Sequence, residues 1–372
     1  MDQARRSTLA MLAGLPFADP VLAMAAATDH GGAAPRWLGC RTEPLAGDGA
    51  AGIRPDGRSP FAMPLPARGH SFAVHPSRDL AVVFARRPGV FAVAFDTVTG
   101  ERLAVFEAEE GRHFAGHGTF SPNGRLLLSA ENKFDTGDGV LGVYDVEDGF
   151  RKLAELPAHG IGPHDVAVMP DGKTLAVAVG GILTHPQSKR LKLNLDTMQP
   201  SLALMEMESG RLVEQFPLEG QLHQLSLRHL SVNERGEVAC ACQFQGDPEA
   251  AVPLVAILGD GSLRLADGFR RRAAELHQYT GSITYDTSGD WLAVSCPKAD
   301  RILILDRQGE IHHEVAVVDG CGVAAEGQPG RFVASGGTGR LVSIDARTGQ
   351  ATQLVSEPLA WDNHLVPLHL RG

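Results

Sequence analysis

The sequence predicts an all-β fold, a seven-bladed β-propeller closed by N- and C-terminal strands that share one blade. Three observations carry this expectation. A unit of strand, turn and strand recurs at roughly 40–60 residues, within the period range of propeller and solenoid repeats. Turn residues fall at about 8–12-residue spacing inside each unit, which suits four short strands rather than helices. One histidine also returns at the same place in the runs GHSFAVHPSRDLAVV, GHGTFSPNGRLLLS, PHDVAVMPDGKTLAV, RHLSVNERGEVACA and NHLVPLHL.

The elements follow in order. Residues 1–25 read as a twin-arginine-type signal peptide: Arg5-Arg6-Ser7-Thr8-Leu9, an apolar stretch from Leu9 to Phe17, and a small-residue site at Ala23-Met24-Ala25. Residues 26–60 form a less defined, Gly-rich segment expected to contribute outer strands, and residues 61–372 form the propeller domain. Six units span about 69–108, 114–158, 159–219, 222–268, 279–318 and 320–357. Their first turns include Pro122-Asn123-Gly124 and Pro170-Asp171-Gly172, and their third strands end in Asp96, Asp145, Asp306 and Asp345. The remainder makes a seventh blade, with Trp361–Leu370 as its inner strand and the segment from Arg36 to Pro66 outside it. That closure leaves no free sheet edge between the two chain ends. A single helix is expected in DGFRRRAAELHQ, between the fourth and fifth units.

Composition narrows the function classes. A formal net charge of -10 and the lack of a basic stripe argue against nucleic acid, whose binding rests on displacing phosphate counterions. Beyond the leader, no segment has the 18 or more apolar residues of a bilayer span. Five cysteines (Cys40, Cys240, Cys242, Cys296, Cys321) cannot all pair within one chain, and no C-x-x-C is present, so they read as buried small hydrophobes. No G-x-S-x-G elbow, P-loop or H-E-x-x-H occurs. The chain is expected to be a monomer.

The candidate site is a set of histidines. His70, His117, His164, His229 and His364 fall where each innermost strand begins, on five consecutive blades: seven, one, two, three and four. Blade five has Thr280-Gly281-Ser282 in that slot and blade six has Gly320-Cys321-Gly322. Packing does not require imidazole at a repeated position, whereas an arc of neutral imidazoles around one channel mouth suits Cu, Zn, Fe or Ni. At least three should reach a point about 2.0–2.2 Å from each nitrogen. Asp165 and Asp362, each beside an arc histidine, are expected to orient imidazole N–H groups or to ligate directly. His113, His159 and His223 precede arc histidines by a few residues, and His185 lies in an insertion of the third unit; all four are expected to support the site. That insertion runs from Gly180 to Met198 and reads as a lid or binding surface. The stretch Glu131–Gly139 lacks the twelfth-position Glu of a Ca²⁺ loop and reads as a plain turn.

The runs RGH (68–70), GRHFAGHGTFSPNGRLL (111–127), GIGPHD (160–165), GGILTHP (180–186), LNLDTMQPSL (193–202) and LHQLSLRHL (222–230) resemble the bacterial domain-of-unknown-function family 1513, over nearly all of the chain after about residue 60. The resemblance implies a twin-arginine-exported periplasmic propeller, in a setting of imelysin-like and iron-uptake lipoproteins and c-type cytochrome-like peroxidases. It therefore implies iron or another transition metal, and other periplasmic metal-uptake proteins as partners. A broader likeness of fold and site type is to seven-bladed metalloproteins such as nitrous oxide reductase and the selenium-binding methanethiol oxidases, where channel-mouth histidines hold copper.

The leading expectation is a periplasmic metal-binding propeller for transition-metal acquisition or handling, with iron or copper first and zinc also suited. A copper- or iron-dependent oxidoreductase using the same histidine arc is the enzyme alternative. A metal-free interaction scaffold is the third, and it has no use for histidines in register.

Overall fold

The computed structural model describes residues 34–87, 89–185, 187 and 191–368. The twin-arginine pattern and the apolar stretch after it lie outside them. Seven four-stranded antiparallel sheets surround a central channel. Six blades are consecutive in sequence, and each runs from its inner strand outward.

The inner strands of blades one to six are β4 (Gly69–Val74), β8 (Arg112–Phe120), β12 (Pro163–Val168), β16 (Leu225–Val232), β20 (Ile283–Tyr285) and β24 (Gly320–Ala325). Blade seven combines β28 (Ala360–Pro367), innermost, with β1 (Trp37–Glu43), β2 (Gly47–Ile53) and β3 (Phe61–Pro64) in the order β28-β1-β2-β3. Trp37 pairs with Pro367 and Leu38 with Val366. The fully buried Trp37 donates its Nε1–H to the Ala325 carbonyl of blade six at 2.9 Å, so the closing strand is tied to its neighbour as well as to the tail.

Alternation along the strands buries one face of each blade against the next. Phe61 and Met63 of blade seven pack with Phe72, Val83 and Phe95 of blade one, and Phe84 of blade one packs with Phe114 and Tyr144 of blade two. Each such aromatic contributes about 1.5–3 kcal/mol by leaving water. The third-strand aspartates close the outer hairpins: Asp96 Oδ1 accepts the Val98 and Thr99 N–H groups, and Asp345 Oδ1 those of Arg347 and Thr348. All five cysteines are buried and free, and burial raises their thiols.

Two sequence expectations need correction. The segment expected to be a helix is a six-residue 3₁₀ turn, Asp267–Arg272, followed by hydrogen-bonded turns; positive φ at His277 (52°) and Gln278 (50°) ends it. The recurrent histidines do not all precede their strands. His117, His229 and His364 lie well inside β8, β16 and β28, at places where the ladder slips register. Slips between Gly69 and Phe72 and between Pro163 and Asp165 likewise bracket His70 and His164. A bulge bends the strand and re-aims one side chain. The repeated device is therefore a bulge that turns an imidazole into the channel.

Candidate metal centre

The five bulged histidines meet inside the channel rather than at its open rim; each is no more than 8% exposed. Going round the channel, ring centroids are 4.7 Å apart for His364 and His70, 4.9 Å for His70 and His117, 4.9 Å for His117 and His164, and 4.7 Å for His164 and His229. His229 and His364, on blades four and seven, approach to 4.4 Å in front of blades five and six. The arc read from sequence thus closes into a ring so compact that His117 lies within 5.1 Å of all four other imidazoles.

Their outer nitrogens are held from behind. His229 Nδ1–H donates to the Gly281 carbonyl at 2.5 Å, which leaves Nε2 as the lone-pair nitrogen. His117 Nδ1 faces Asp165 Oδ1 at 3.3 Å, and His364 Nδ1 faces Ser282 Oγ at 3.3 Å. Asp165 is itself fixed by the Val166 and Leu230 N–H groups, both at 2.9 Å, so it joins blades two, three and four. His70 Nδ1 lies 3.8 Å from Asp362 Oδ1, too far for a hydrogen bond. Blade five, which lacks a histidine, supplies Gly281 and Ser282 as props for its neighbours' rings. Cys321 of blade six turns its thiol to backbone oxygens, 3.2 Å from the Asp362 carbonyl.

Room for the ring depends on Gly116. Its φ is 100°, and a Cβ there would lie 2.5 Å from His70 Cδ2, so only glycine allows both the backbone turn and the imidazole beside it.

The inner nitrogens are the chemical signal. His117 Nε2 and His364 Nε2 are buried without a hydrogen-bond partner among the described residues, as is His70 Nδ1 on the outer, Asp362 side. His229 Nε2 is 3.0 Å from His164 Nε2, which, with His229 protonated at Nδ1, must be the donor. Burial pushes His70 down to about 4, with Asp362 only partly offsetting it. Burial first, then neighbouring cations and imidazoles, lowers His164, His229 and His364 well below the usual imidazole range. These rings are neutral at pH 7, the form that ligates metal. One ligand atom each from His70, His117, His229 and His364 lies within 4.8 Å of the others, and this group could hold a metal ion. Four nitrogens about 2.1 Å from one ion stand at most about 4.2 Å apart, so loading needs only a small inward movement.

His164 sits in the same ring but outside that tightest set. The four supporting histidines have other partners, and among the described residues no hydrogen bond or ring contact joins them to the five. His113 and His185 flank Phe134 at centroid distances of 5.4 and 5.8 Å. His159 and His223 line a separate surface cleft, where they bond the Gly210 and Gly220 carbonyls at 2.9 Å. His159, with φ 59°, lies just after the outermost strand of blade two, where the chain starts its return toward β12. Asp362 accepts from Arg68 and from Arg86 (2.6 Å). Although burial would raise this carboxyl, His70 and the two guanidinium groups hold it well below the usual range.

The histidine ring divides the channel. On the side of residues that follow the histidines lies a cavity of about 210 Å³, lined by His117, Asp165, Ser71, Ser231, Ser282 and Thr284. On the side of residues that precede them lies one of about 200 Å³, where His70, His164 and His229 form part of the wall. Lys192, from the third-blade insertion, lines this second cavity. The insertion is braced by Asn194, which accepts the Leu183 N–H and donates to the Gly181 carbonyl.

A family model described as "Protein of unknown function (DUF1513)" matches residues 63–368. The chain belongs to that family. No curated protein matched it. Among solved structures, Kuenenia stuttgartiensis hydrazine synthase is similar at 15% identity and a TM-score of 0.59, covering 83% of this chain and 89% of that one. At that identity the likeness concerns the fold alone.

Proposed function

We propose that this propeller binds one transition-metal ion at His70, His117, His229 and His364, and that it serves transition-metal acquisition or handling in the periplasm. The observation that carries the reading is the set of buried imidazoles whose outer nitrogens are held by Asp165, Gly281 and Ser282 while Nε2 of His117 and of His364 lacks a partner among the described residues. Metal-bound histidines are oriented in this way by outer hydrogen bonds. An all-imidazole set suits iron, copper or zinc, and it disfavours Mg²⁺ and Ca²⁺, which prefer oxygen. A bound metal would supply Lewis-acid or redox chemistry; the chain's own groups orient the imidazoles, and burial keeps His70, His229 and His364 neutral.

The test is elemental analysis of untagged protein. One equivalent of a single transition metal in the wild type, and none in a folded His117→Ala/His364→Ala variant, supports the reading. A metal-free wild type that takes up no iron, copper or zinc overturns it.

Periplasmic export is proposed from Arg5-Arg6 and the apolar stretch after them, together with the family resemblance. Blade seven begins at Trp37, so cleavage near residue 25 would remove no described strand. Replacing Arg5 and Arg6 with Lys should hold the protein in the cytoplasm; unchanged periplasmic recovery contradicts export by that route. Periplasmic metal-uptake proteins are the partners this reading implies.

The oxidoreductase reading has one observation of its own: the 200 Å³ cavity reaches the histidine wall and would let a small molecule approach the metal. Azide added to iron- or copper-loaded protein distinguishes the two readings. A new charge-transfer band favours an open coordination position, and an unchanged spectrum favours a closed carrier site.

A further inference from the structure

The cavity in front of His70, His164 and His229 is lined by Arg86, Arg87, Lys192 and Arg228, and among the described residues no carboxylate contributes to its wall. This is unexpected in a chain whose formal net charge is -10. The four cations come from separate elements. Arg86 and Arg87 follow β5 (Leu80–Ala85), Lys192 comes from the third-blade insertion, and Arg228 directly precedes His229 in the bulge of β16.

Arg86 is paired with Asp362, which Arg68 shares from outside the cavity wall. Lys192 donates to the neutral Gln245 side chain, and Arg87 reaches Thr184 Oγ1 at 3.5 Å. Arg228 Nε is buried with no hydrogen-bond partner among the described residues. Like charges gathered in a partly buried wall repel one another and lose hydration, so they destabilise the empty fold unless a counter-charge binds.

We propose that this cavity binds a small oxyanion, of the carboxylate, carbonate or phosphate class, through Arg228 and Lys192. Guanidinium groups present paired N–H donors that match the two oxygens of such an anion, and Lys192 adds a point charge. At about 200 Å³ the cavity is smaller than the roughly 300 Å³ at which drug-sized pockets begin, so a nucleotide or bulky chelate does not fit. Gln243 and Asn363 add neutral polar groups to the lining. An anion seated there would lie against the His70 and His229 rings. Resting on the metal reading, it would therefore neighbour the bound ion as a co-ligand or substrate.

The seat itself can be tested without metal. Chelator-treated full-length protein is titrated calorimetrically with bicarbonate, oxalate and inorganic phosphate at constant ionic strength, with chloride as the control. We expect one site for at least one oxyanion, no heat with chloride, and at least a tenfold weaker affinity in Arg228→Gln. Lys192→Gln, on the insertion and away from the strand ladders, should weaken binding in the same direction and guards against misfolding of the first variant. Comparing the three anions tells carboxylate from inorganic oxyanion. Absence of heat with all three, or equal affinity in both variants, overturns the proposal. Metal content of the same variants should match the wild type, so failure of the anion seat and failure of the metal centre are read separately.

Discussion

Two buried polar clusters in this molecule look alike in composition and differ in what they lack. In blade two, the fully buried Glu131 accepts from Ser129 Oγ and Tyr144 OH, both at 2.6 Å, and from Lys152 Nζ at 2.9 Å. Lys152 also binds Glu155, which is further held by Arg112 at 2.7 Å and Lys133 at 2.8 Å. Gly142 leaves the space that Glu131 occupies. Both carboxylates are met by donors, so the network is complete as it stands. The histidine ring is held as firmly on its outer side, yet three of its nitrogens have no partner among the described residues. A satisfied buried network specifies structure, whereas an unsatisfied one carries a standing cost that a bound group can remove.

The comparison is broken most directly by exchanging the effects of mutation. Lys152→Met should lower stability by about 3–5 kcal/mol, because it strands the buried Glu131 charge, and should leave metal stoichiometry unchanged in the folded fraction. His117→Ala with His364→Ala should abolish metal binding and shift metal-free stability by only about 1 kcal/mol. Denaturant unfolding and elemental analysis of both variants check this. Metal loss in the first, or collapse of the fold in the second, would erase the distinction.

Acid titration separates the same two regions. In the metal-free protein, unfolded imidazoles take up protons below their ordinary 6.5, while His70 stays neutral in the fold until about 4. Stability should therefore fall as pH drops from about 6.5 toward 4, by on the order of 3 kcal/mol for His70 alone. Burial would raise Glu155, but Arg112, Lys133 and Lys152 hold it below its ordinary 4.5. Its contribution is present above that value and is lost only at lower pH. Thermal melts between pH 7 and 4 should show the first loss and, in the double histidine variant, a smaller one. Equal slopes in the two proteins would contradict neutral burial of the ring.

Smaller effects sharpen the picture. Gly116→Ala should displace the His70 ring and strain the backbone, lowering metal affinity at least tenfold. Asp165→Asn removes the charge behind His117 and should cost about 10–100-fold in affinity. His113→Phe, which changes a buried ring outside the cluster, should leave affinity within about twofold of wild type. A larger loss would return His113 to the site.

Much of this was legible in the chain. Strand units, Asp-closed hairpins and a split closing blade are written as local patterns, and five histidines share one slot. Less legible was what surrounds that slot. Gly281 and Ser282 read as the blade that lacked a histidine, although they prop His229 and His364. The bulges were hidden because register slips leave little trace in a strand's apolar pattern. His113, His159 and His223 misled because proximity in sequence does not fix direction: the His159 ring, just after the outer edge of blade two, bonds Gly210 in a separate cleft. The basic cavity was invisible because its cations come from separate segments that only the ring brings together.

X-ray absorption at the metal edge of untagged protein, paired with its elemental analysis, decides whether the imidazole cluster is a metal centre. One transition metal per chain with about four imidazole nitrogens around it is expected, with loss of that signal in the His117→Ala/His364→Ala variant. A wild-type protein without metal, or a metal whose neighbours are mainly oxygen or sulfur, would contradict it.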